Sequence, residues 1–206
     1  MLERFRAFWT KVFTPVARLL LRLGVSPDAV TLVGTVGVCG GALFFFPRGD
    51  LLVGVLVITA FVFSDLVDGH MARLGNTSSA WGAFLDSTLD RFGDAAIFAG
   101  LAMYYVGPGD SRPLAGLAIY CLVMGSVTSY ARAKAESLGM QAKGGIAERA
   151  DRLVAILVMT GLADLLDLML LIPLTLGVLA LASSITVVQR VLLVRRQVDA
   201  ASRAAS

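Results

Sequence analysis

Long apolar runs constrain the fold of this chain more than any other feature. Residues 29–46 and 113–131 contain no charged residue, and each run approaches the roughly 20 residues that a helix needs to cross a bilayer. Four further apolar runs are lengthened by segments with isolated charges: 51–64, 92–109, 153–163 and 168–189. Charged residues make up 16% of the chain, against about 25% in soluble domains. The runs therefore predict membrane helices.

The fold expected from these runs is all-α: an integral membrane bundle of six transmembrane helices, preceded by an N-terminal amphipathic helix. Residues 1–24 interleave arginine and lysine with leucine, phenylalanine and tryptophan, a pattern typical of a helix that lies in the membrane interface. We expect a single domain, 1–206, which comprises the interfacial helix 1–24, the six-helix bundle 27–196 and a polar tail 197–206.

The positive charges predict an orientation. In a six-helix arrangement, all of the 18 lysine and arginine residues except Arg48 and Arg112 fall on one side of the membrane. Because cytoplasmic segments carry the excess of such residues, both termini and the acidic segment described next should face the cytoplasm, with the protein in the plasma membrane. The net charge of +3 reflects this bias and does not indicate nucleic-acid binding.

Four aspartates lie within segment 64–91, beside long apolar runs. On a helix over 51–73, Asp65 and Asp68 share a face; on a helix over 82–106, Asp86 and Asp90 do. Carboxylates that converge repel one another unless a cation lies between them, and an all-oxygen set suits Mg²⁺, Mn²⁺ or Ca²⁺ rather than zinc. A single aspartate could instead be a helix-end residue or pair with a nearby arginine. Four on two facing stripes favour a functional metal site.

The spacing of this segment resembles a known family signature. Asp65-x₂-Asp68-Gly69-x₂-Ala72-Arg73-x₈-Gly82-x₃-Asp86-x₃-Asp90 matches the CDP-alcohol phosphotransferase family at all eight positions, and the helix layout resembles that family over essentially the whole chain. The resemblance implies a transferase that moves a phosphorylated group from a CDP-linked lipid to an alcohol and releases CMP. It also implies a homodimer.

The resemblance assigns expected roles to residues. A pair of divalent ions, Mg²⁺ or Mn²⁺, would be held by four carboxylates: Asp65, Asp68, Asp86 and Asp90. Asp90 would also be the catalytic base. The element Pro27-Asp28-x₂-Thr31 resembles a Pro-Asn-x₂-Thr element of the family, with aspartate in place of asparagine. The expected CDP-diacylglycerol site therefore comprises Asp28, Thr31, Gly69, Ala72, Arg73 and Gly82.

A second polar region indicates an anionic acceptor. Arginine is the preferred partner of a phosphate group, and the candidate residues for the acceptor phosphate are Ser129, Arg132, Lys134, Arg149, Arg152 and Arg190. The pattern Ser-Tyr-x-Arg-Ala-Lys-Ala-Glu, followed by Gly-x-x-Glu-Arg-x-x-Arg and a late Val-Gln-Arg, resembles the actinobacterial subfamily that makes phosphatidylinositol phosphate from CDP-diacylglycerol and inositol 1-phosphate.

Three other interpretations stay open. Phosphatidylglycerophosphate synthases share the aspartates and use glycerol 3-phosphate, which is also phosphorylated. The arginines could simply anchor the protein to lipid headgroups. A divalent-cation transporter, a protein of another class, would also bury aspartates. It would be expected to hold them at the midplane on interrupted helices, whereas these lie at the predicted cytoplasmic ends.

Overall fold

The structure of the protein is a computed structural model that describes residues 14–75 and 79–205, without the side chains of residues 65, 66, 204 and 205. Residues 14–22 are helical; the rest of the predicted interfacial helix, residues 1–13, lies outside the described residues. The α-helices that follow are α1 (Pro27–Phe45), α2 (Leu51–Val62), α3 (Ser64–Leu74), α4 (Ala80–Val106), α5 (Arg112–Ser137), α6 (Arg149–Leu165) and α7 (Leu171–Ala205). The described residues include no strand, which confirms the all-α class.

Six helical rods correspond to the six predicted helices. The second rod consists of α2 and α3, which are separated only by Phe63. Four segments of the described chain are long and apolar enough to cross a membrane: Pro27–Arg48, Leu51–Leu74, Arg112–Ser137 and Leu171–Arg203. The other two rods differ because α4 carries four charged residues between positions 86 and 94 and α6 has only 17 residues. The last helix, α7, continues to Ala205 and thus includes most of the segment predicted as a polar tail.

Local sequence explains where two key helices begin. The Ser26 hydroxyl accepts a hydrogen bond from the backbone N–H of Ala29 at the start of α1, and Pro27 occupies the first helical turn. Proline suits that position because its missing N–H would have no partner there in any case. Ser79 caps α4 by accepting from the N–H of Gly82 at 3.0 Å. Serine caps of this kind satisfy otherwise unpaired donors, so both helix starts are well defined.

The bundle core joins residues from all the rods. Its fully buried side chains include Phe46, Leu51, Ile58, Ile97, Leu101, Ile156 and Leu176. The helices α1 and α4 pack closely where Gly100 faces Ala42. A Cβ atom at position 100 would lie 2.6 Å from the Ala42 carbonyl oxygen, which is too close for any larger residue without a backbone shift. This contact sets how closely α1 and α4 approach, and both helices begin at the functional end of the bundle.

Polar contacts distinguish the two ends of the bundle. At one end, the Asp164 carboxylate near the end of α6 accepts from the backbone N–H of Leu52 at 2.7 Å and so caps the first turn of α2. At the opposite end, Thr31 in α1 contacts Asp68 in α3, and Asp94 in α4 contacts Arg149 in α6. The predicted aspartate and arginine clusters therefore lie at the same end.

Candidate active site

A first cavity of about 300 Å³ opens between α1, α3 and α4. All six residues predicted to bind CDP-diacylglycerol line it: Asp28, Thr31, Gly69, Ala72, Arg73 and Gly82. Two of the predicted metal ligands, Asp68 and Asp86, line it as well. Asp28 is oriented by Trp81, whose indole N–H donates to the carboxylate at 3.1 Å. The structure thus brings residues from positions 28 to 86 into one cleft.

Asp68 lies buried in the wall of this first cavity. It is 6% exposed, and its carboxylate accepts a hydrogen bond from the Thr31 hydroxyl at 2.5 Å. No ion pair found in the described part of the chain includes Asp68. Since a buried charge is costly without an opposite charge, the surroundings of Asp68 fit a bound cation.

The four predicted metal ligands are only partly described. The side chain of Asp65 lies outside the described residues, although its backbone belongs to α3. Among the side chains that are described, no three histidine, cysteine, aspartate or glutamate residues are close enough to hold a metal ion. Asp86 and Asp90 are four residues apart on α4, hence about one helical turn. The oxygen donors fit Mg²⁺ or Mn²⁺ in type.

A second cavity of about 860 Å³ lies on the other side of the aspartates, between α4, α5, α6 and α7. Asp90 lines it, together with five of the six residues predicted for the acceptor phosphate: Ser129, Arg132, Arg149, Arg152 and Arg190. Lys134 is exposed and does not line this cavity. The lining contains five arginines against three carboxylates, so it carries a surplus of positive charge.

Two arginines of the second cavity are almost fully buried. Arg152 is 3% exposed and Arg190 is 4% exposed. Arg152 donates to the Ala147 carbonyl at 3.0 Å; Arg190 donates to the carbonyl oxygens of Thr128 at 2.6 Å and Gly144 at 3.2 Å. Neither takes part in an ion pair with the described residues. The two guanidinium groups are therefore positioned by neutral carbonyls and form no ion pair with a described carboxylate; Asp94 acts on Arg152, and Glu136 and Glu148 on Arg190, only at longer range.

Arg149 behaves differently, because two carboxylates hold it. Its Nη2 lies 2.9 Å from Asp90 Oδ1, and its Nε donates to both oxygens of Asp94, at 2.9 and 3.2 Å. Arg91 Nη2 lies farther away, 3.7 Å from Asp90 and 3.8 Å from Asp94. The candidate base is thus linked to the wall of the second cavity.

Several lining residues were not predicted from the sequence. Ser79 lines the first cavity, and its place before a helix predicts a cap but no ligand contact. Additional polar residues of the second cavity are Ser87, Arg91, Ser126, Thr128, Tyr130, Glu136 and Glu148. Asp94, which lines neither cavity but contacts Arg149, was not predicted either; it lies four residues after Asp90 on the same helix, so helical spacing could have indicated it.

Two cavities lie at one end of this membrane bundle, with aspartates between them. The chain that forms them belongs to a known class of enzyme. The chain matches the family model for CDP-alcohol phosphatidyltransferase over residues 24–161, and it belongs to that family of phosphotransferases. Among its curated relatives is the phosphatidylinositol phosphate synthase of Streptomyces avermitilis, 51% identical over 99% of this chain and 88% of the relative. The phosphatidylinositol phosphate synthase of Cutibacterium acnes is 53% identical over 95% of this chain and 98% of the relative.

Solved structures agree with these sequence relationships. The crystal structure of Mycobacterium tuberculosis phosphatidylinositol phosphate synthase with CDP-DAG bound superposes with a TM-score of 0.86 at 40% identity, over 89% of this chain and 94% of that chain. The same enzyme in complex with manganese and citrate gives a TM-score of 0.83 over 88% of each chain. This chain is therefore a membrane-bound phosphotransferase of phospholipid biosynthesis, and one of its relatives of known structure has been solved with manganese.

Proposed function

We propose that this protein transfers the phosphatidyl group of CDP-diacylglycerol to the hydroxyl of inositol 1-phosphate, giving phosphatidylinositol phosphate and CMP. The observation that carries the proposal is the pair of buried guanidinium groups, Arg152 and Arg190, in the cavity that also contains Asp90. A buried positive charge without a carboxylate partner favours a bound anion, and a phosphorylated alcohol supplies one.

The first cavity would hold the nucleotide part of the donor lipid. Its lining offers small residues at Gly69, Ala72 and Gly82, which leave space for the pyrophosphate and the cytidine. Arg73 adds a positive charge that can pair with a phosphate oxygen. The diacylglycerol tails would stay in the bilayer, so that only the CDP headgroup enters the cleft.

Asp90 lies where the two substrates would meet. Asp86 lines the first cavity and Asp90 the second, so the reacting phosphorus lies between them in this proposal. Asp90 takes the proton of the acceptor hydroxyl while the hydroxyl oxygen of the acceptor forms a bond to the β-phosphorus. The bond between that phosphorus and the bridging oxygen breaks, and CMP leaves. Divalent cations held by Asp65, Asp68, Asp86 and Asp90 would neutralise the charge on the diphosphate and on CMP.

Inositol 1-phosphate is supported over other acceptors by two observations. Two relatives that align over 95% or more of this chain are phosphatidylinositol phosphate synthases. The second cavity, at about 860 Å³, is also large enough for a ring polyol that carries a phosphate. Family membership sets the transporter hypothesis aside.

An acceptor panel tests the proposal. Purified protein in detergent is given CDP-diacylglycerol with inositol 1-phosphate, free inositol, glycerol 3-phosphate or serine, and CMP release is measured with Mg²⁺, with Mn²⁺ and after chelation with EDTA. We expect efficient release only with inositol 1-phosphate and a divalent ion. A preference for glycerol 3-phosphate would indicate phosphatidylglycerophosphate synthesis instead, and a preference for free inositol would contradict the role of the buried arginines.

We also infer that all six rods cross the membrane, with the two cavities on the cytoplasmic side of the plasma membrane. The two less apolar rods, α4 and α6, both begin at the cavities. Both helices end at the opposite end of the bundle: Pro108, just after α4, approaches Gly49, and Asp164, near the end of α6, caps Leu52. Each of the two helices therefore runs from the cavities to the far end. The distribution of lysine and arginine supports the orientation.

A homodimer and a pair of metal ions are further parts of this proposal, and the family resemblance supports them.

A further inference from the structure

Asp94 contacts the proposed catalytic machinery without lining either substrate cavity. Its side chain is 17% exposed, and its two oxygens accept from Arg149 Nε at 2.9 and 3.2 Å. Arg149, by contrast, lines the second cavity beside Asp90. Asp94 thus lies one helical turn beyond the base and contacts an arginine that the base also contacts.

The position of Arg149 explains why it needs an anchor. It is the first residue of α6, and a positive charge is disfavoured at the N-terminal end of a helix. Its side chain is 32% exposed, so solvent can hydrate the positive charge only in part. Carboxylates from α4 offset this cost and fix the side chain in one orientation.

The hydrogen-bond pattern of Arg149 shows how two carboxylates share one guanidinium. Nε and Nη2 form one edge of the guanidinium fork, the edge that can hold both oxygens of a single carboxylate. Here Nε is bound to Asp94 and Nη2 to Asp90. Each carboxylate therefore contacts one of the two nitrogen atoms of this edge, although either carboxylate could contact both.

We propose that Asp94 is a positioning residue that occupies the Nε of Arg149 and so prevents Arg149 from closing on both oxygens of Asp90. This inference rests on the proposed function, in which Asp90 serves as base and metal ligand. An arginine that holds both carboxylate oxygens competes directly with a divalent cation for the same lone pairs. With Asp94 in place, Arg149 has only its Nη2 contact with Asp90 to give up when the cation binds, and it stays at the wall of the acceptor cavity.

Manganese binding to the purified, substrate-free protein tests this role without any turnover. The Mn²⁺ dissociation constant is measured by electron paramagnetic resonance for the wild type, Asp94→Ala and Asp94→Asn. We expect Asp94→Ala to raise the dissociation constant about tenfold, because Nε is released to Asp90. Asp94→Asn loses the same charge but keeps an oxygen that can accept from Nε, so we expect a change of less than about threefold. Equal weakening in both variants would mean that Asp94 acts only through its charge and would overturn the proposal.

A double variant separates positioning from a structural role. In Asp94→Ala/Arg149→Gln the competing guanidinium is absent, so Mn²⁺ affinity should return to that of Arg149→Gln alone. A structural defect at position 94 would not be rescued in this way, and failure of rescue would overturn the proposal. If Asp94→Ala does not yield folded protein, Asp94→Ser replaces it with the same expectation, since serine is too short to reach Nε. The acceptor panel on the wild type tests the proposed function separately, because Mn²⁺ binding requires no acceptor.

Discussion

At the scale of single residues, substitution of Thr31 tests whether its hydroxyl holds the buried Asp68 carboxylate in place. Its hydroxyl donates to Asp68 across 37 residues of sequence, and hydrogen bonds to charged groups contribute about 1.5–3 kcal/mol. Thr31→Val keeps the side-chain shape and removes the donor, so we expect a loss of unfolding free energy in that range and a lower kcat/KM for CDP-diacylglycerol. Thr35→Val is a matched control one turn later, because that hydroxyl donates only to the Thr31 carbonyl. Thermal unfolding and CMP release should remain near wild type in the control; equal losses in both variants would contradict the assignment.

In the proposed mechanism, the chemical step depends on Asp90. If it removes the acceptor proton, Asp90→Asn should lower the rate of transfer by about 10²–10⁴ while CDP-diacylglycerol still binds. Asp110→Asn is a suitable control, since Asp110 is exposed and has a φ of 38°, a conformation that asparagine tolerates. Single-turnover CMP release and equilibrium lipid binding provide the two measurements. Near-native turnover of Asp90→Asn would remove this residue from the mechanism.

Arg190 tests the acceptor site. Because its buried guanidinium would bind the phosphate of the acceptor, Arg190→Ala should raise the KM for inositol 1-phosphate by about ten- to a hundredfold, which corresponds to one charge-assisted hydrogen bond or slightly more. The KM for CDP-diacylglycerol should change far less. Arg195→Ala on the same helix removes an exposed arginine that faces Asp199 at 3.9 Å and should leave both constants unchanged. A parallel rise of both constants in Arg190→Ala would indicate a general structural role.

Sequence spacing could predict the residues of the first cavity but not all of their contacts. The aspartates and small residues fall at helical intervals on two neighbouring rods, so local periodicity is enough to place them together. The link between Asp94 and Arg149 joins residues 55 positions apart, and no local pattern indicates it. For Lys134 the sequence predicted a contact that the structure does not show. Its place in a basic segment predicted a role in binding the acceptor phosphate, but its side chain is exposed and does not line the second cavity.

At the scale of elements, the loop between α5 and α6 contributes Glu148 to the second cavity, and α7 holds this loop in place. The Thr186 hydroxyl accepts from the N–H of Ala147 at 3.2 Å, and the Gln197 side chain bonds both backbone groups of Gln141, at 3.0 and 2.6 Å. Arg190 adds the contact to Gly144. An acceptor in the second cavity would therefore depend on contacts that only the folded arrangement of α7 supplies.

Gly145 provides a test of this loop. Its φ is 132°, and a Cβ atom there would lie 2.3 Å from Thr186 Cγ2, so Gly145→Ala should displace the loop from α7. We expect a higher KM for inositol 1-phosphate and a stability loss of at least about 1 kcal/mol. Gly144→Ala is the control, because position 144 has a φ of 91° but no atom within 4 Å of the added Cβ; it should show the backbone strain without the displaced loop. Equal KM values in the two variants would mean that the contact with Thr186 is irrelevant to acceptor binding.

The sequence predicted the presence of the helices more accurately than the residues at which they break or end. Apolar runs predicted each rod, because membrane helices need only length and apolar surface. The break at Phe63 has no proline or glycine within it and was not predicted. The extension of α7 to Ala205 was not predicted either, although residues 197–205 include four alanines and contain no helix-breaking residue.

At the scale of the whole molecule, membrane topology is the proposal that decides where the two cavities face. Asp110 and Asp167 lie in exposed turns after α4 and α6, at the end far from the cavities, whereas Ala201 is exposed near the end of α7. If all six rods cross, Asp110→Cys and Asp167→Cys should react in intact cells with a membrane-impermeant maleimide, in a background lacking Cys39 and Cys121. Ala201→Cys should react only after permeabilisation. If α4 or α6 did not cross, the cysteine placed after it would be labelled with the same pattern as position 201; labelling of position 201 in intact cells would reverse the orientation and place the CDP-lipid cleft outside the cytoplasm.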